Sequence, residues 1–196
     1  MFGDINLDLF YFFNHSLQNP FFDFIMPAIT DLGGFVVLCL ILVIIIIYSV
    51  FFKKETLKKI AVLTLFTLLF SGLIAVLVKH LIHEPRPFAV LDNVRLLIME
   101  NDPLSFPSGH SASTFAVVSF LILNMKKLSR HYKIIDLCLI IFAVIIPFSR
   151  MYVGVHYPLD VLAGCLLGII SALIVNRYKC GILNIIIRIK SIIKLK

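Results

Sequence analysis

The residues of this 196-residue chain best equipped for chemistry fall in three clusters. The first runs from Lys79 to Pro87 and holds Lys79, Arg86 and two histidines. The second is Pro107-Ser108-Gly109-His110, and the third joins Ser149-Arg150 to His156 and Asp160. Lys79, Arg86 and Arg150 are three cations able to neutralise a phosphoryl group, the arginines by forking onto its oxygens. Ser108 and Gly109 open an apolar run and so read as a helix N-terminus. Free amides and the helix dipole favour an anion there, and glycine admits close backbone approach. A phosphoryl transition state needs fixed electrostatic support of this kind.

Two histidines bring proton and covalent chemistry. His156 and Asp160 are four residues apart, so at a helix start they share a face. The carboxylate can accept the proton of one imidazole nitrogen and leave the other free as a nucleophile, by the logic of an oriented triad. His110 is then the group that protonates the leaving oxygen and afterwards activates water. Histidine, with its unperturbed pKa near 6.5, serves both roles around neutrality.

These clusters sit in an unusually apolar chain. Hydrophobic residues make up 60%, charged residues only 15%, and mean hydropathy is +1.03, against the roughly one quarter charged that soluble domains carry. So much apolar surface cannot be hidden inside 22.2 kDa, and its natural solvent is lipid. A soluble enzyme, a nucleic-acid binder and a disordered protein are excluded. The expected architecture is all-α, a polytopic transmembrane bundle, because a bilayer core needs roughly 20 apolar residues in a helix. Gly33–Phe52 and Ile60–Val78 contain no charge and are clear spans; Gly109–Met125, Ile134–Arg150 and Tyr157–Asn176 make five. Residues 1–32 are more broken. Asn19-Pro20 reads as a helix cap followed by a first-turn proline, and Asp23 and Pro27 argue for an interfacial or re-entrant helix pair, with a sixth span as the alternative. The N-terminus lacks the basic region of a secretory signal, so insertion is expected to rest on the internal segments. Residues 1–180 read as one membrane-embedded domain, and 181–196 as a basic amphipathic cytoplasmic tail.

Charge orients the bundle. Fourteen of the eighteen basic residues lie in 53–59, 126–133 and beyond Asn176, all at one end of the threading. By the positive-inside rule that end is cytoplasmic, and the protein is a multi-pass protein of the cell membrane. The other four, Lys79, Arg86, Arg95 and Arg150, fall at the opposite, extracytoplasmic end, and so do all three clusters. Each cluster has a plainer explanation when taken alone. A lysine at a span end snorkels, proline-serine-glycine is an ordinary loop-to-helix junction, and an arginine can anchor a helix end. Those explanations do not account for every polar exception converging on one face.

The three clusters together resemble the signature of the type-2 phosphatidic acid phosphatase superfamily. Lys-x6-Arg-Pro at 79–87, Pro-Ser-Gly-His at 107–110 and Ser-Arg-x5-His-x3-Asp at 149–160 are complete, ordered and correctly spaced across about residues 60–176. The resemblance implies that His156 forms a phosphohistidine with Asp160 as its partner and that His110 is the acid–base residue. It also implies that Lys79, Arg86, Ser108, Gly109 and Arg150 bind phosphate, with no metal and no cofactor. The expected partners are the bilayer and a lipid phosphate or diphosphate. The compact chain looks like short bacterial-type members that act on undecaprenyl diphosphate. Phosphatidic acid, phosphatidylglycerol phosphate and lipid A 1-phosphate are the competing substrates, and transfer to a second lipid is the competing reaction. A non-catalytic lipid-binding module ranks last, because His110, His156 and Asp160 are all present.

Other polar residues carry less. His80 and His83 could pass for metal ligands but lack an evident third. Arg95 is expected to be a solvated loop charge, with contact to a second phosphate as the alternative. Cys39, Cys138, Cys165 and Cys180 have neither zinc spacing nor disulfide patterning.

Overall fold

The computed structural model describes residues 2–194. Among them every regular element is helical: α1 (Phe2–Tyr11), a π-helical turn (Phe12–Ser16), α2 (Pro20–Leu32), α3 (Phe35–Phe51), α4 (Glu55–Ile82), the short α5 (Pro87–Val90), α6 (Gly109–Met125), α7 (Tyr132–Tyr152) and α8 (Pro158–Lys194). The five apolar runs each become a helix. α4, α7 and α8 (over Pro158–Ile186) are long and apolar enough to cross a bilayer, α6 is a shorter apolar helix, and α2 and α3 qualify together but bend by 57° at their junction. α8 continues through residue 180 without interruption. The side chains of Lys190 and Lys194, and Lys196 altogether, on which an amphipathic tail depends, lie outside the described residues.

The bundle is inside-out relative to a soluble protein. Val36, Ile44, Leu73, Val76, Ile134, Val144, Leu162 and Leu173 are exposed, whereas Thr64, Thr67, Ser71, Ser113, Asn124 and Ser171 are buried. Lipid tails are as apolar as leucine, so helix association depends on close packing and on small or hydroxylated side chains that satisfy themselves internally. Thr64 and Thr67 do so by donating to the carbonyls of Ile60 and Leu63. α6 is the central helix, with α4, α7, α8 and α3 around it. Leu38, Leu42, Leu68 and Val117 form one core between α3, α4 and α6, and Ile60, Leu63, Phe120, Ala172 and Val175 another nearer the basic end.

Two ends can be told apart. Lys53, Lys54, Glu55 and Lys127 line one cleft and Lys58, Lys59 and Cys180 a neighbouring one, so the basic segments after α3, after α6 and along α8 share an end. The N-terminal helices belong to the other end. α2 starts as expected, with the Asn19 side chain accepting from Phe21 N (2.8 Å) and Pro20 in the first turn. It then runs along the end of α7 and bends by 57° at Gly33-Gly34 into α3, the geometry of a broken span or of a re-entrant segment. A Cβ on Gly33 would lie 2.3 Å from the Ile146 side chain, so only glycine allows this crossing.

Candidate active site

Each functional side chain is delivered by a helix end or by the segment beside it. Lys79 lies in the last turn of α4, and His83 takes a left-handed conformation (φ 54) that turns the chain toward Arg86. Pro87 opens α5 and leaves Arg86 as its N-cap. Ser108 caps α6, its hydroxyl accepting from Ser111 N (3.4 Å) and Ser111 Oγ (3.0 Å), while its own N–H donates to the Asp160 carbonyl (3.0 Å). That last bond ties the start of α6 to the start of α8. Arg150 ends α7. Gly154, in the turn to α8, has φ +86, and a Cβ there would meet the Arg95 carbonyl at 2.6 Å, so both conformation and space require glycine.

All eight residues singled out by spacing come to one end. Lys79, Arg86, Ser108, Arg150, His156 and Asp160 are buried, and Gly109 and His110 are half-buried. Asp160 Oδ2 accepts from Tyr157 N (2.9 Å), from the Ser105 hydroxyl and from His156 Nδ1 (3.3 Å). On the far side of the ring, His156 Nε2 lies 3.1 Å from Arg86 Nη1. A guanidinium can only donate, so Nε2 is the unprotonated nitrogen and Nδ1 carries the proton toward Asp160. Burial, reinforced by the charges of Arg150, Arg86, Lys79 and His110, holds His156 well below its ordinary pKa and keeps the ring neutral at pH 7.

The cations converge from three elements. Arg86 also donates to the Asp102 carbonyl (2.6 Å) and the Val155 carbonyl (3.0 Å). Arg150 donates to Thr30 Oγ1 (3.1 Å), and its Nε is buried without a partner among the described residues. The Ser108 amide and hydroxyl are both engaged. The first-turn amides of α6 open to an anion are therefore those of Gly109 and His110, which have no intrahelical partner. Gly109, His110 and Lys79 line a cavity of about 490 Å³ whose remaining wall is largely apolar, including Phe35 of α3 and Gly72, Leu73 and Val76 of α4. A Cβ on Gly109 would meet nothing within 4 Å.

Several residues of the site were not legible in sequence. Ser105 bonds to Asp160 and stands 3.3 Å from His156 Nδ1, yet a serine two residues before a motif carries no periodic signal. Glu100 and Asp102 reach all three cations. Arg95 is not the free, solvated loop charge expected from the sequence. It pairs with Asp23, stacks 5.7 Å over the Tyr152 ring, and offers its backbone N–H to the buried Asn14. Asn14 in turn donates to the carbonyls of Arg95 and Tyr152 (2.9 Å each), which fastens the N-terminal helices to the loop beside the site. His80 and His83 have ring centroids 6.4 Å apart, and no third ligating side chain joins them among the described residues.

Three buried cations, a carboxylate-held histidine and a second histidine thus meet at the mouth of an apolar cavity, an arrangement suited to holding a phosphoryl group beside a lipid chain. Residues 60–180 match the PAP2 superfamily, and the chain belongs to it. It is therefore a lipid phosphatase, as the resemblance implied. It is 32% identical over 167 residues to phosphatidylglycerophosphatase B of Bacillus subtilis, covering 83% of this chain and 77% of that one. It is 40% identical over 108 residues to an undecaprenyl-diphosphatase of Sulfolobus acidocaldarius, covering 52% and 48%. The crystal structure of Aquifex aeolicus LpxE superimposes with a TM-score of 0.70 at 32% identity, covering 89% of this chain and 96% of that one.

Proposed function

We propose that the protein hydrolyses undecaprenyl diphosphate at the extracytoplasmic face through a phosphohistidine on His156. The tautomer carries this reading: Nε2 bears the lone pair and abuts Arg86, while Nδ1–H is held by Asp160. His156 Nε2 attacks the terminal phosphorus, and the bond from phosphorus to the bridging oxygen breaks. His110 supplies a proton to the departing lipid monophosphate. Water then attacks the phosphohistidine, giving its proton to His110, and the P–N bond breaks to release inorganic phosphate and restore neutral His156. Lys79, Arg86, Arg150 and the amides of Gly109 and His110 stabilise the charge on the transferring group. The lipid chain lies in the apolar cavity between α3 and α4, whose rim residues Leu73 and Val76 are exposed to the surrounding lipid.

Five spans, α3, α4, α6, α7 and α8, with α1 and α2 at the outer interface, match this sidedness, because fourteen of eighteen basic residues then face the cytoplasm. The choice of lipid rests on the undecaprenyl-diphosphatase among its relatives. The test is phosphate release from C55 isoprenyl diphosphate in detergent with EDTA present, with phosphatidic acid and phosphatidylglycerol phosphate as competitors. Wild type should release phosphate and prefer the isoprenyl substrate, and His156→Ala should lose at least about a thousandfold in rate, the scale on which nucleophile removal acts. Full activity in His156→Ala would remove the nucleophile assignment, strict metal dependence would remove the mechanism, and a flat preference would remove the substrate.

A further inference from the structure

We propose that Glu100 and Asp102 form a tethered anion that occupies the phosphoryl position and competes with the substrate for it. The proposal rests on reading Lys79, Arg86 and Arg150 as the phosphate-binding cations. Glu100 Oε2 lies 2.6 Å from Arg150 Nη2 and 3.6 Å from Arg86 Nη2. Asp102 Oδ2 lies 2.6 Å from Lys79 Nζ and 3.6 Å from Arg86 Nη2. All three cations are thus engaged by two carboxylates two positions apart on one loop. Glu100 bridges both arginines, and Arg86 is the group that also touches the nucleophilic nitrogen of His156. A phosphoryl group held by both arginines within reach of that nitrogen needs the same place.

Burial separates the two sets of partners. The Arg150 and Arg86 side chains are 1% and 3% exposed, whereas Glu100 and Asp102 are 21% and 44% exposed. Lys79 and Arg150 sit in the last turns of α4 and α7 and Arg86 caps α5, whereas the carboxylates lie at the rim on a segment without helix, next to the almost fully exposed Met99. Three buried cations with no counter-charge would be costly, and carboxylate offers them the same charge-assisted bonds that phosphate does. Substrate must therefore displace the loop, and its apparent affinity is reduced by the fraction of molecules in which the loop is out.

The test is competitive inhibition by inorganic phosphate in wild type and in Glu100→Gln/Asp102→Asn, whose side chains keep shape and lose charge. The variant should bind phosphate at least about tenfold more tightly, the gain expected when a dominant closed state is removed. An unchanged or weaker inhibition constant would overturn the proposal and make the carboxylates props for the cations. Should the double variant fail to fold, hydrogen exchange on the wild-type protein decides. Saturating phosphate should raise exchange across residues 99–104 as the loop is expelled, and slowed or unaltered exchange would overturn the idea. Arg150→Ala separates this from the underlying reading. If that variant binds phosphate as well as wild type does, the cation assignment has failed, whatever the loop does.

Discussion

Asp160 Oδ2 is asked to accept three hydrogens, from Ser105, Tyr157 and His156. A carboxylate oxygen so loaded is fixed in place, and the imidazole it faces is fixed with it, much as metal-bound histidines are oriented by the groups behind them. Ser105 is therefore a positioning residue acting through Asp160 and His156. Ser105→Ala should lower kcat about tenfold, the equivalent of one hydrogen bond to a charged group, with little change in KM. Ser105→Thr, which keeps the hydroxyl, should recover most of it. A rise in KM at constant kcat would place Ser105 in substrate binding instead.

At the scale of helices, the site depends on how closely α8 lies on α6. Gly164 and Gly168 are four residues apart on α8 and face Ser108, Ala112 and Ala116 of α6. A Cβ on Gly168 would stand 2.5 Å from the Ala112 carbonyl oxygen and 2.6 Å from Ala116 N, and one on Gly164 2.5 Å from the Ser108 carbonyl oxygen. These are backbone atoms that cannot swing aside. Small residues at this spacing let two membrane helices approach to backbone contact, and the approach holds Ser108 N on the Asp160 carbonyl. Gly168→Ala should cost about 1–3 kcal/mol by overpacking, read as a lower melting temperature in detergent. An unshifted melt would mean that the helices pack less closely.

Across the whole molecule, charge and chemistry occupy opposite ends. The proposed sidedness can be tested with thiols. Met99 is 95% exposed beside the site, and Cys180 is an exposed free cysteine at the basic end. In intact cells a membrane-impermeant maleimide should label Met99→Cys, and should reach Cys180 only after permeabilisation. The reverse pattern would turn the molecule over. The N-terminal helices lie at the same end as the site. Tyr11 and Asn14 bond to the backbone of 92–95, and Asp23 pairs with Arg95, so the loop bearing Glu100 and Asp102 is anchored at its start by residues 11–23.

The sequence by itself determined the solvent, the helices and the candidate groups that gather at the site, because each rests on local information. An apolar run of bilayer length declares its own environment, and the four-residue step from His156 to Asp160 places both on one helical face. Lys79, His110 and Arg150 stood out as charges or titratable groups at helix ends in a chain with few of either. Only the tertiary structure decided what faces those groups across the site. Ser105, Glu100, Asp102 and Asn14 act on partners between 14 and 138 positions away, and no periodicity records such pairings. The contact of Gly164 and Gly168 with α6 likewise emerges only from the packed helices. The bend of α2 into α3 also escaped the sequence, since Gly33 is required by the Ile146 side chain from a helix more than a hundred residues later. Motif chemistry survives in a one-dimensional pattern because the reaction constrains residue types. The loops and close contacts that gate and aim it are constrained only by what they touch.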